Sequence, residues 1–189
     1  MSERTLWEDR YDTPEMIHGT EPSEFLRENV ELIPKHGLAL DVAGGEGRNS
    51  LMLAELGCEV ILLDLSVRAL QKCKRLARER GVSVACAAVD LSSFLLPPDR
   101  FDLIICFNYL RRDLIPTMKA GLRRGGVLIY ETLATAHLRW KPGFNPDFLL
   151  RPGELLYLFG GLRLLKYREA DLRIGERVRS VASVISKRE

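Results

Sequence analysis

The feature that most constrains the fold is an alternation of short apolar runs with segments of helical periodicity. Five nearly continuous apolar runs of β-type character occupy residues 38–43, 59–64, 82–89, 101–107 and 126–132. Runs of this kind are typical of strands that are buried on both faces of a sheet. Because strands that alternate with helices form parallel sheets, the pattern predicts an α/β fold with a largely parallel sheet.

Helical segments fit between most of these runs. Ser66 is placed to cap a helix whose apolar face carries Leu70, Cys73 and Ala77 and which ends at Gly81. Further helices are predicted at residues 23–33, where Pro34 stops the helix, at 49–56 and at 114–122. The five strands are therefore linked mostly by helical crossovers.

The C-terminal third has a different rhythm. A short helix is predicted at residues 152–159, and residues 162–167 and 178–186 have strand character. About ten residues separate these two strands, which is short for a parallel crossover, so an antiparallel pair is expected. The prediction is a doubly wound, mostly parallel, seven-stranded Rossmann-like sheet with an antiparallel C-terminal strand. Ligands of such sheets bind beyond the carboxyl ends of the strands.

Length and charge narrow the class of protein. The 189 residues are expected to form a single domain, and 28 Lys and Arg against 26 Asp and Glu leave a net charge of +2. Neither nucleic acid nor membrane is favoured as a partner by this balance. The first residues mix charges without an apolar run, so a cytoplasmic location is expected. Scattered cysteines and histidines predict no disulfide framework and no metal site.

Three features at strand ends indicate a ligand that contains adenosine. Residues 41–49 (DVAGGEGRN) form a glycine-rich turn from the first strand into a helix, where backbone can approach a ligand closely. Asp64 ends the second strand and could accept the hydroxyl groups of a ribose, and Asp90 ends the third strand and could bind an adenine amino group. Each has a plain alternative, a tight turn or a surface carboxylate, but the three together favour the ligand.

Position 50 helps to choose among adenosine ligands. The dinucleotide motif G-x-G-x-x-G, anchored at Gly45 and Gly47, requires Gly or Ala where Ser50 stands. A phosphate-binding Walker loop is also excluded, because no Gly-Lys-Ser/Thr follows. Asp41, the small residues and Arg48 suit the zwitterionic tail of an amino acid instead, as S-adenosylmethionine carries.

The motifs resemble those of class I S-adenosylmethionine-dependent methyltransferases over residues 38–132. The resemblance rests on Asp64, Asp90 and the segments 41–47, 101–102 and 122–126. Four further segments are similar to the tellurite-resistance methyltransferase branch, namely 7–11 (WEDRY), 47–51 (GRNSL), 152–155 (PGEL) and 166–169 (KYRE). The resemblance implies S-adenosylmethionine as the cofactor and S-adenosylhomocysteine as its product.

The resemblance also implies roles for individual residues. The methionyl part would lie against residues 43–47, the ribose on Asp64 and the adenine near Asp90, while Arg10 and Arg48 would approach the cofactor's carboxylate. The complete set of implied cofactor-binding residues is Arg10, Asp41, Ala43, Gly44, Gly45, Gly47, Arg48, Asn49, Asp64, Leu65, Asp90, Leu91 and Phe107. Two positions depart from the family pattern. Arg124 stands where proline is common, and Ala43 where the first glycine often stands, so binding should survive if the backbone at Ala43 is not left-handed.

Two segments are expected to cover the site and to select the acceptor. Within a single domain of residues 1–189, residues 1–34 are predicted to form an N-terminal lid and helix, 35–132 a cofactor-binding core, 133–151 a substrate loop, and 152–189 a C-terminal helix and strand pair. Candidate substrate-binding residues are Tyr11, His18, Tyr109, Glu131 and Trp140. Each could instead be structural, Glu131 for example as an ion-pair partner, and no catalytic base is named.

The main functional hypothesis is methyl transfer from S-adenosylmethionine to a small-molecule or oxyanion acceptor by in-line displacement. A monomer or homodimer is expected. One alternative is a non-catalytic member of the same fold that binds a cofactor or a protein partner. A nicotinamide-dependent oxidoreductase is less favoured, because of Ser50 and the antiparallel strand pair.

Overall fold

A computed structural model describes residues 2–189, apart from the side chain of Ile174. It contains six α-helices and seven strands. The helices are α1 Glu3–Tyr11, α2 Glu24–Arg27, α3 Arg48–Glu55, α4 Val67–Glu79, α5 Ile115–Gly121 and α6 Glu154–Leu158. The strands are β1 Leu38–Val42, β2 Glu59–Asp64, β3 Val84–Ala88, β4 Phe101–Phe107, β5 Leu122–Leu133, β6 Arg163–Ile174 and β7 Arg177–Lys187.

The strands form one mixed sheet in the order β3-β2-β1-β4-β5-β7-β6. The pairs from β3 to β5 are parallel, and β7 is antiparallel to both β5 and β6. From β1 the chain builds outward first through β2 and β3, and then on the other side through β4 and β5. The switch point between β1 and β4 opens a crevice at the carboxyl ends of these strands, which confirms the predicted fold class.

Alternating residues of the central strands supply a hydrophobic core on each face of the sheet. On one face Leu40 and Ile104 pack with residues of α5, including Met118. On the other face Leu62 and Ile105 pack with residues of α3 and α4. The sheet is thus covered on both sides, as the continuous apolar runs predicted.

The predicted helix over residues 23–33 is wrong. The chain forms the short α2 and then a separate 3₁₀ turn at Val30–Leu32. Asn29 lies between them with its side chain buried, and its amide donates a hydrogen bond of 2.6 Å to the carbonyl of Phe25. The side chain thus replaces a backbone donor, which is how asparagine competes with helix formation.

The C-terminal pair is antiparallel, as predicted, but the expected ten-residue connection is absent. β6 runs on to Ile174, and only Gly175 and Glu176 separate it from β7. Gly175 has φ +61°, which a tight hairpin requires and which glycine adopts without strain. The extension was missed because its polar, exposed residues alternate along an outer strand. β5 also begins earlier than predicted, at Leu122.

The N-terminal segment contains a helix that its sequence did not predict. α1 begins after Ser2, whose hydroxyl accepts a hydrogen bond from the amide of Thr5. Most of its residues are exposed, so it lacks a strong apolar stripe. None of the helices within residues 2–189 is long and apolar enough to cross a membrane.

Candidate active site

The glycine-rich loop after β1 makes a tight turn into α3. Ala43, Gly45 and Gly47 all have positive φ, at +54°, +58° and +81°. A Cβ atom added to Gly44 would lie 2.7 Å from the carboxylate of Asp41. The amide of Gly44 also donates to the carbonyl of Leu63 on β2, at 3.1 Å. The loop is therefore compact. At Gly44 and Gly45, which have no side chains, its backbone lines the crevice.

The condition stated for Ala43, a backbone that is not left-handed, is not met. Its φ of +54° is left-handed, a conformation that costs a residue with a Cβ atom roughly 1–2 kcal/mol. The loop thus retains its shape despite the alanine, at some cost in stability.

Asp41 is buried at the end of β1. Of its two carboxylate oxygens, one has a hydrogen-bond partner among the described residues and the other has none. The hydroxyl of Ser50 donates to its Oδ2 at 2.7 Å, whereas Oδ1 has no hydrogen-bond partner among the described residues. Burial raises the pKa of Asp41 to about 7. Ser50, which argued against a dinucleotide, therefore serves as the anchor of this carboxyl group. The unpartnered Oδ1 can accept a hydrogen bond from a cationic ligand.

Asp64 connects the end of β2 with the glycine-rich loop. Its Oδ2 accepts the amide of Gly45 at 2.8 Å, and its Oδ1 accepts the amide of Ser66 at 2.9 Å. Burial raises the pKa of Asp64. Because each carboxylate oxygen has a second lone pair, both can still accept a ligand hydroxyl.

A cleft of about 900 Å³, its open mouth included, lies beyond these strand ends. It gathers most of the residues that the sequence nominated. Those lining it are Tyr11, His18, Asp41, Ala43, Gly44, Gly45, Arg48, Asn49, Asp64, Leu65, Asp90, Leu91, Phe107 and Tyr109. Four nominated residues, Arg10, Gly47, Glu131 and Trp140, are not part of this lining. The cleft thus joins the motif residues of β1, β2, β3 and β4 at one edge of the sheet.

The nominated residues outside the lining have other contacts. Arg10 stacks over the ring of Trp7, and Trp140 donates its indole N–H to the hydroxyl of Ser180 at 3.2 Å. Gly47 packs against Cys73, because a Cβ atom on Gly47 would lie 2.2 Å from the Cys73 sulfur.

Glu131, at the end of β5, is also engaged. It is buried and accepts hydrogen bonds from Ser183 at 2.6 Å and from Arg168 at 3.2 Å. Its observed role is that of an ion-pair partner, which was one of the two interpretations of the sequence.

α1 is bound to the start of α4. Glu8 accepts the amides of Val67 and Arg68 at 2.7 and 3.1 Å, and its carboxylate also accepts the hydroxyl of Ser66. A carboxylate in this position stabilises the positive end of a helix. The interaction holds Tyr11, at the end of α1, against the glycine-rich loop: a Cβ atom on Gly45 would lie 2.8 Å from its hydroxyl.

Residues 15–21 are held by Glu46 of the glycine-rich loop and by Arg48. Glu46 accepts the amides of Ile17 and His18 and forms a buried ion pair of 2.9 Å with Lys72 of α4. Arg48 donates to the carbonyls of His18 and Glu21, each at 3.3 Å. The N-terminal segment therefore lies over the cleft and is held there by Glu46 and Arg48, which also line it.

Residues 133–151 form a loop that is closed at its base. Ala134 and Leu150 form a parallel bridge, and 3₁₀ turns occur at Thr135–Arg139 and Pro146–Phe148. His137 is buried in the first turn, and its ring packs edge-on against Phe144. This loop is ordered by backbone pairing and lies beside the first residues of β7.

Sequence reasoning missed several residues of the cleft and its rim. Glu3, Asn108 and Arg111 line the cleft and lie outside every motif segment, whereas Glu46 and Trp7 lie within motif segments but were not nominated. Arg179 donates to the side-chain oxygen of Asn108, which the sequence could not reveal. Its position follows from the antiparallel direction of β7, which returns the start of that strand to the end of β5.

No metal-binding cluster was found among residues 2–189, that is, no group of three His, Cys, Asp or Glu side chains suited to an ion. The four cysteines are free: Cys58, Cys73 and Cys106 are buried and Cys86 is half-buried. Most of the thiols thus pack as small apolar groups.

The residues of the cleft fit S-adenosylmethionine. Asp41 offers an unpartnered buried oxygen to the amino group, the small residues 43–45 leave space for the methionyl chain, and Asp64 retains acceptor capacity for a ribose. Val89 and Leu91 provide apolar wall on the side of β3, next to Asp90. The sheet order and this cleft agree with the resemblance of the sequence motifs to class I S-adenosylmethionine-dependent methyltransferases.

Comparison with known proteins agrees with this class. A family model described as a methyltransferase domain matches residues 39–126. The chain is 38% identical over 109 residues to the tRNA 5-carboxymethoxyuridine methyltransferase of Escherichia coli K12, covering 52% of this chain and 41% of that enzyme. It is 26% identical over 143 residues to a ubiquinone biosynthesis O-methyltransferase of Histophilus somni, covering 62% and 60%. The chain thus spans less than two thirds of these relatives.

The structure of TehB from Haemophilus influenzae has the same fold. It superposes with a TM-score of 0.76 at 17% identity, covering 98% of this chain and 67% of TehB. At this identity the similarity to TehB shows the fold alone.

Proposed function

We propose that the chain transfers a methyl group from S-adenosylmethionine to a small-molecule acceptor, which enters between residues 1–34 and the 133–151 loop. The observation that carries the proposal is the cleft at the switch point, where motif residues surround a buried carboxyl oxygen that lacks a partner. A small acceptor is supported by the N-terminal segment, whose Tyr11 and His18 line the cleft.

Each element of the cleft has a proposed part in cofactor binding. Asp41 binds the ammonium group, the backbone of residues 43–47 follows the methionyl chain, and Asp64 accepts the ribose hydroxyls. Asp90 and Leu91 bind the adenine, and Arg48 approaches the carboxylate. When bound, S-adenosylmethionine supplies a methyl group that is activated by a sulfonium.

The contribution of the chain to the reaction is mainly alignment and exclusion of water. An in-line displacement gains several kcal/mol when the reacting atoms are held in line. Tyr11 and His18 line the cleft from the N-terminal segment, and Phe107 and Tyr109 line it from the end of β4. These side chains restrict the space in which an acceptor can lie.

His18 is the proton acceptor that we propose for an acceptor atom that must lose a proton. Burial lowers the pKa of His18, and the nearby charges of Arg48 and Arg10 lower it further, so its imidazole is neutral at pH 7. Tyr109 is unsuitable as a base, because burial raises its pKa to about 12. Glu131 is already engaged with Ser183 and Arg168.

A second candidate acceptor is tRNA. It is favoured by one specific observation, the 38% identity with the tRNA 5-carboxymethoxyuridine methyltransferase. The net charge of +2 favours the small molecule, since a tRNA partner usually requires a basic surface.

The proposal is tested by measuring the formation of S-adenosylhomocysteine from S-adenosylmethionine. The purified chain is incubated with a panel of small phenols, carboxylates, thiols and oxyanions, and separately with total tRNA. Turnover with a small molecule but not with tRNA is expected. His18→Gln should lower the rate for acceptors that must lose a proton, whereas His36→Gln, at an exposed position before β1, serves as the control.

Other outcomes would contradict parts of the proposal. Turnover with tRNA alone would overturn the small-molecule acceptor. Tight cofactor binding without turnover on either panel would favour the non-catalytic member of the fold.

A further inference from the structure

Beside the cleft, next to its lining residue Asn108, lies a half-buried arginine that has no acidic side chain within ion-pair distance among residues 2–189. Arg179 lies near the start of β7 and donates to the side-chain oxygen of Asn108, the first residue after β4. Because β7 is antiparallel to β5, the start of β7 lies beside the carboxyl end of β5. Arg179 is therefore at the ligand-binding edge of the sheet, on the side of β4 that faces away from β1 and the glycine-rich loop.

Arg48 provides a second such guanidinium. Its partners are the carbonyls of His18 and Glu21 and the hydroxyl of Ser23. The partners of Arg48 and Arg179 among residues 2–189 are thus neutral oxygen atoms. Elsewhere the chain pairs its half-buried arginines with acids: Arg168 lies 3.1 Å from the carboxylate of Glu28 and 3.2 Å from that of Glu131.

The two guanidinium groups influence each other. Burial lowers the pKa of Arg48 and the charge of Arg179 lowers it further, while the charges of Asp41, Glu131 and Glu46 oppose this shift. Burial also lowers the pKa of Arg179, although the charge of Glu131 opposes this shift. Two like charges that lie close together in a partly desolvated site repel each other and raise the free energy of the folded protein. An anion bound beside them removes this repulsive cost.

We propose that Arg179, held beside the cleft by Asn108, binds an anionic group of the acceptor, a carboxylate or a phosphate, while Arg48 on the other side of the cleft adds to the positive charge. The inference rests on the proposed function, since it assigns the acceptor class of the same cleft. A guanidinium suits both groups because it presents parallel N–H donors that match two oxygen atoms. Asn108, which lines the cleft, holds Arg179 at the rim through its side-chain oxygen.

The cofactor's own carboxylate is the competing explanation for this positive charge. It would be bound near Asp41 and Arg48, on the β1 side of the cleft, whereas Arg179 contacts the residue that follows β4. The two explanations therefore predict different effects when Arg179 is replaced. Loss of acceptor binding would indicate that Arg179 binds the acceptor. Loss of cofactor binding would indicate that Arg179 binds the cofactor's carboxylate.

The experiment measures binding of simple probes to the full chain by calorimetry, with and without S-adenosylhomocysteine. The probes are benzoate, its neutral counterpart benzamide, and inorganic phosphate. Binding of a carboxylate and binding of a phosphate are thus measured separately. We expect benzoate or phosphate to bind and benzamide not to bind. Arg179→Gln should weaken anion binding about tenfold or more, as loss of a charge-assisted hydrogen bond does.

Two further variants sharpen the result. Arg179→Lys should bind the anion more weakly than the wild type but better than Arg179→Gln, because it keeps the charge without the paired donors. Arg177→Gln, an exposed residue on the same strand, should leave anion binding unchanged. Affinity for S-adenosylhomocysteine should be unchanged in all three variants.

Several results would overturn the proposal. These are a wild type that binds neither anion, anion binding that survives Arg179→Gln, and loss of S-adenosylhomocysteine affinity in that variant. Failure of the proposed function would be recognised separately, as a wild type that binds an anion through Arg179 but does not bind S-adenosylhomocysteine.

Discussion

The two halves of the cleft are built in different ways. On the β1–β3 side, the residues that line the cleft come from the glycine-rich loop after β1 and from the ends of β2 and β3. Hydrogen bonds hold them in place; the carboxylate of Asp64, for example, accepts the amides of Gly45 and Ser66. On the β4–β7 side, Asn108 and Arg179 meet although they are 71 residues apart. The proposed cofactor side is thus specified locally, while the proposed acceptor side depends on the complete topology.

The buried ion pair beneath the N-terminal segment should show the largest effect. Lys72→Met leaves Glu46 charged and buried without its partner, which costs about 3–5 kcal/mol of unfolding free energy. Arg80→Met, which breaks the more exposed pair with Glu55, should cost less than about 1 kcal/mol. Urea unfolding of both variants tests this difference, and equal costs would contradict it.

A glycine of the cofactor loop should show a smaller but more specific effect. Gly45→Ala and Gly81→Ala place an alanine at φ +58° and +68°, so each should lose roughly 1–2 kcal/mol of stability. At position 45 the new Cβ atom would also lie 2.8 Å from the Tyr11 hydroxyl, while position 81 is open. Only Gly45→Ala should weaken S-adenosylhomocysteine binding, by about tenfold, the effect of losing one charge-assisted contact.

The outcome is read by calorimetry alongside thermal unfolding. Equal loss of affinity in both glycine variants would show that backbone strain alone, and not the cofactor loop, determines binding.

Cofactor binding should depend on pH through Asp41. Its pKa of about 7, raised by burial from 3.8, means that the free protein holds a proton there below pH 7. A bound ammonium group favours the ionised form, so binding releases this proton, and affinity falls by up to about tenfold per pH unit below 7. Asp41→Asn should remove this part of the pH dependence, which calorimetry between pH 5 and 8 would measure.

Asp41 also makes the stability of the free protein depend on pH, in the direction opposite to that of cofactor affinity. Because the folded state favours the protonated carboxyl, the contribution is fully present below the unfolded-state pKa of 3.8 and is lost as the pH rises to about 7. An affinity for S-adenosylhomocysteine that does not change across this range in the wild type would contradict the role of Asp41.

The smallest effect is expected at Ala43. Ala43→Gly should raise the unfolding free energy by up to about 1 kcal/mol, since glycine adopts φ +54° without the steric cost but loses more entropy on folding. Cofactor affinity should be unchanged. Chemical denaturation measures the gain, and a destabilised variant would show that the left-handed backbone stores no strain.

The contrast between the two halves also explains what the sequence could predict. β2 and β4 were predicted with their observed ends, and Ser66 caps α4 as expected, because these signals are local. The helix over residues 23–33 failed because the side chain of Asn29 replaces a backbone donor. α1 was missed because its partner, the start of α4, lies far along the chain.

The same reasoning applies to the site. Asp41 and Asp64 could be nominated because each follows an apolar strand, and their placement in the cleft remains tied to those strand ends. Arg179 has no such signal, since its position requires the antiparallel return of β7. Glu131 follows an apolar strand too, but its partners Arg168 and Ser183 come from β6 and β7 and occupy its carboxylate.

The most direct test of the account is a calorimetric titration of S-adenosylhomocysteine into the wild type, Asp64→Asn and Asp99→Asn. Asp64 lines the cleft, whereas Asp99 is an exposed residue before β4, at the opposite edge of the sheet. We predict binding to one site, weakened about tenfold or more by Asp64→Asn and unchanged by Asp99→Asn. Absence of binding to the wild type at about 1 mM ligand, a free energy weaker than about −4 kcal/mol, would contradict the account.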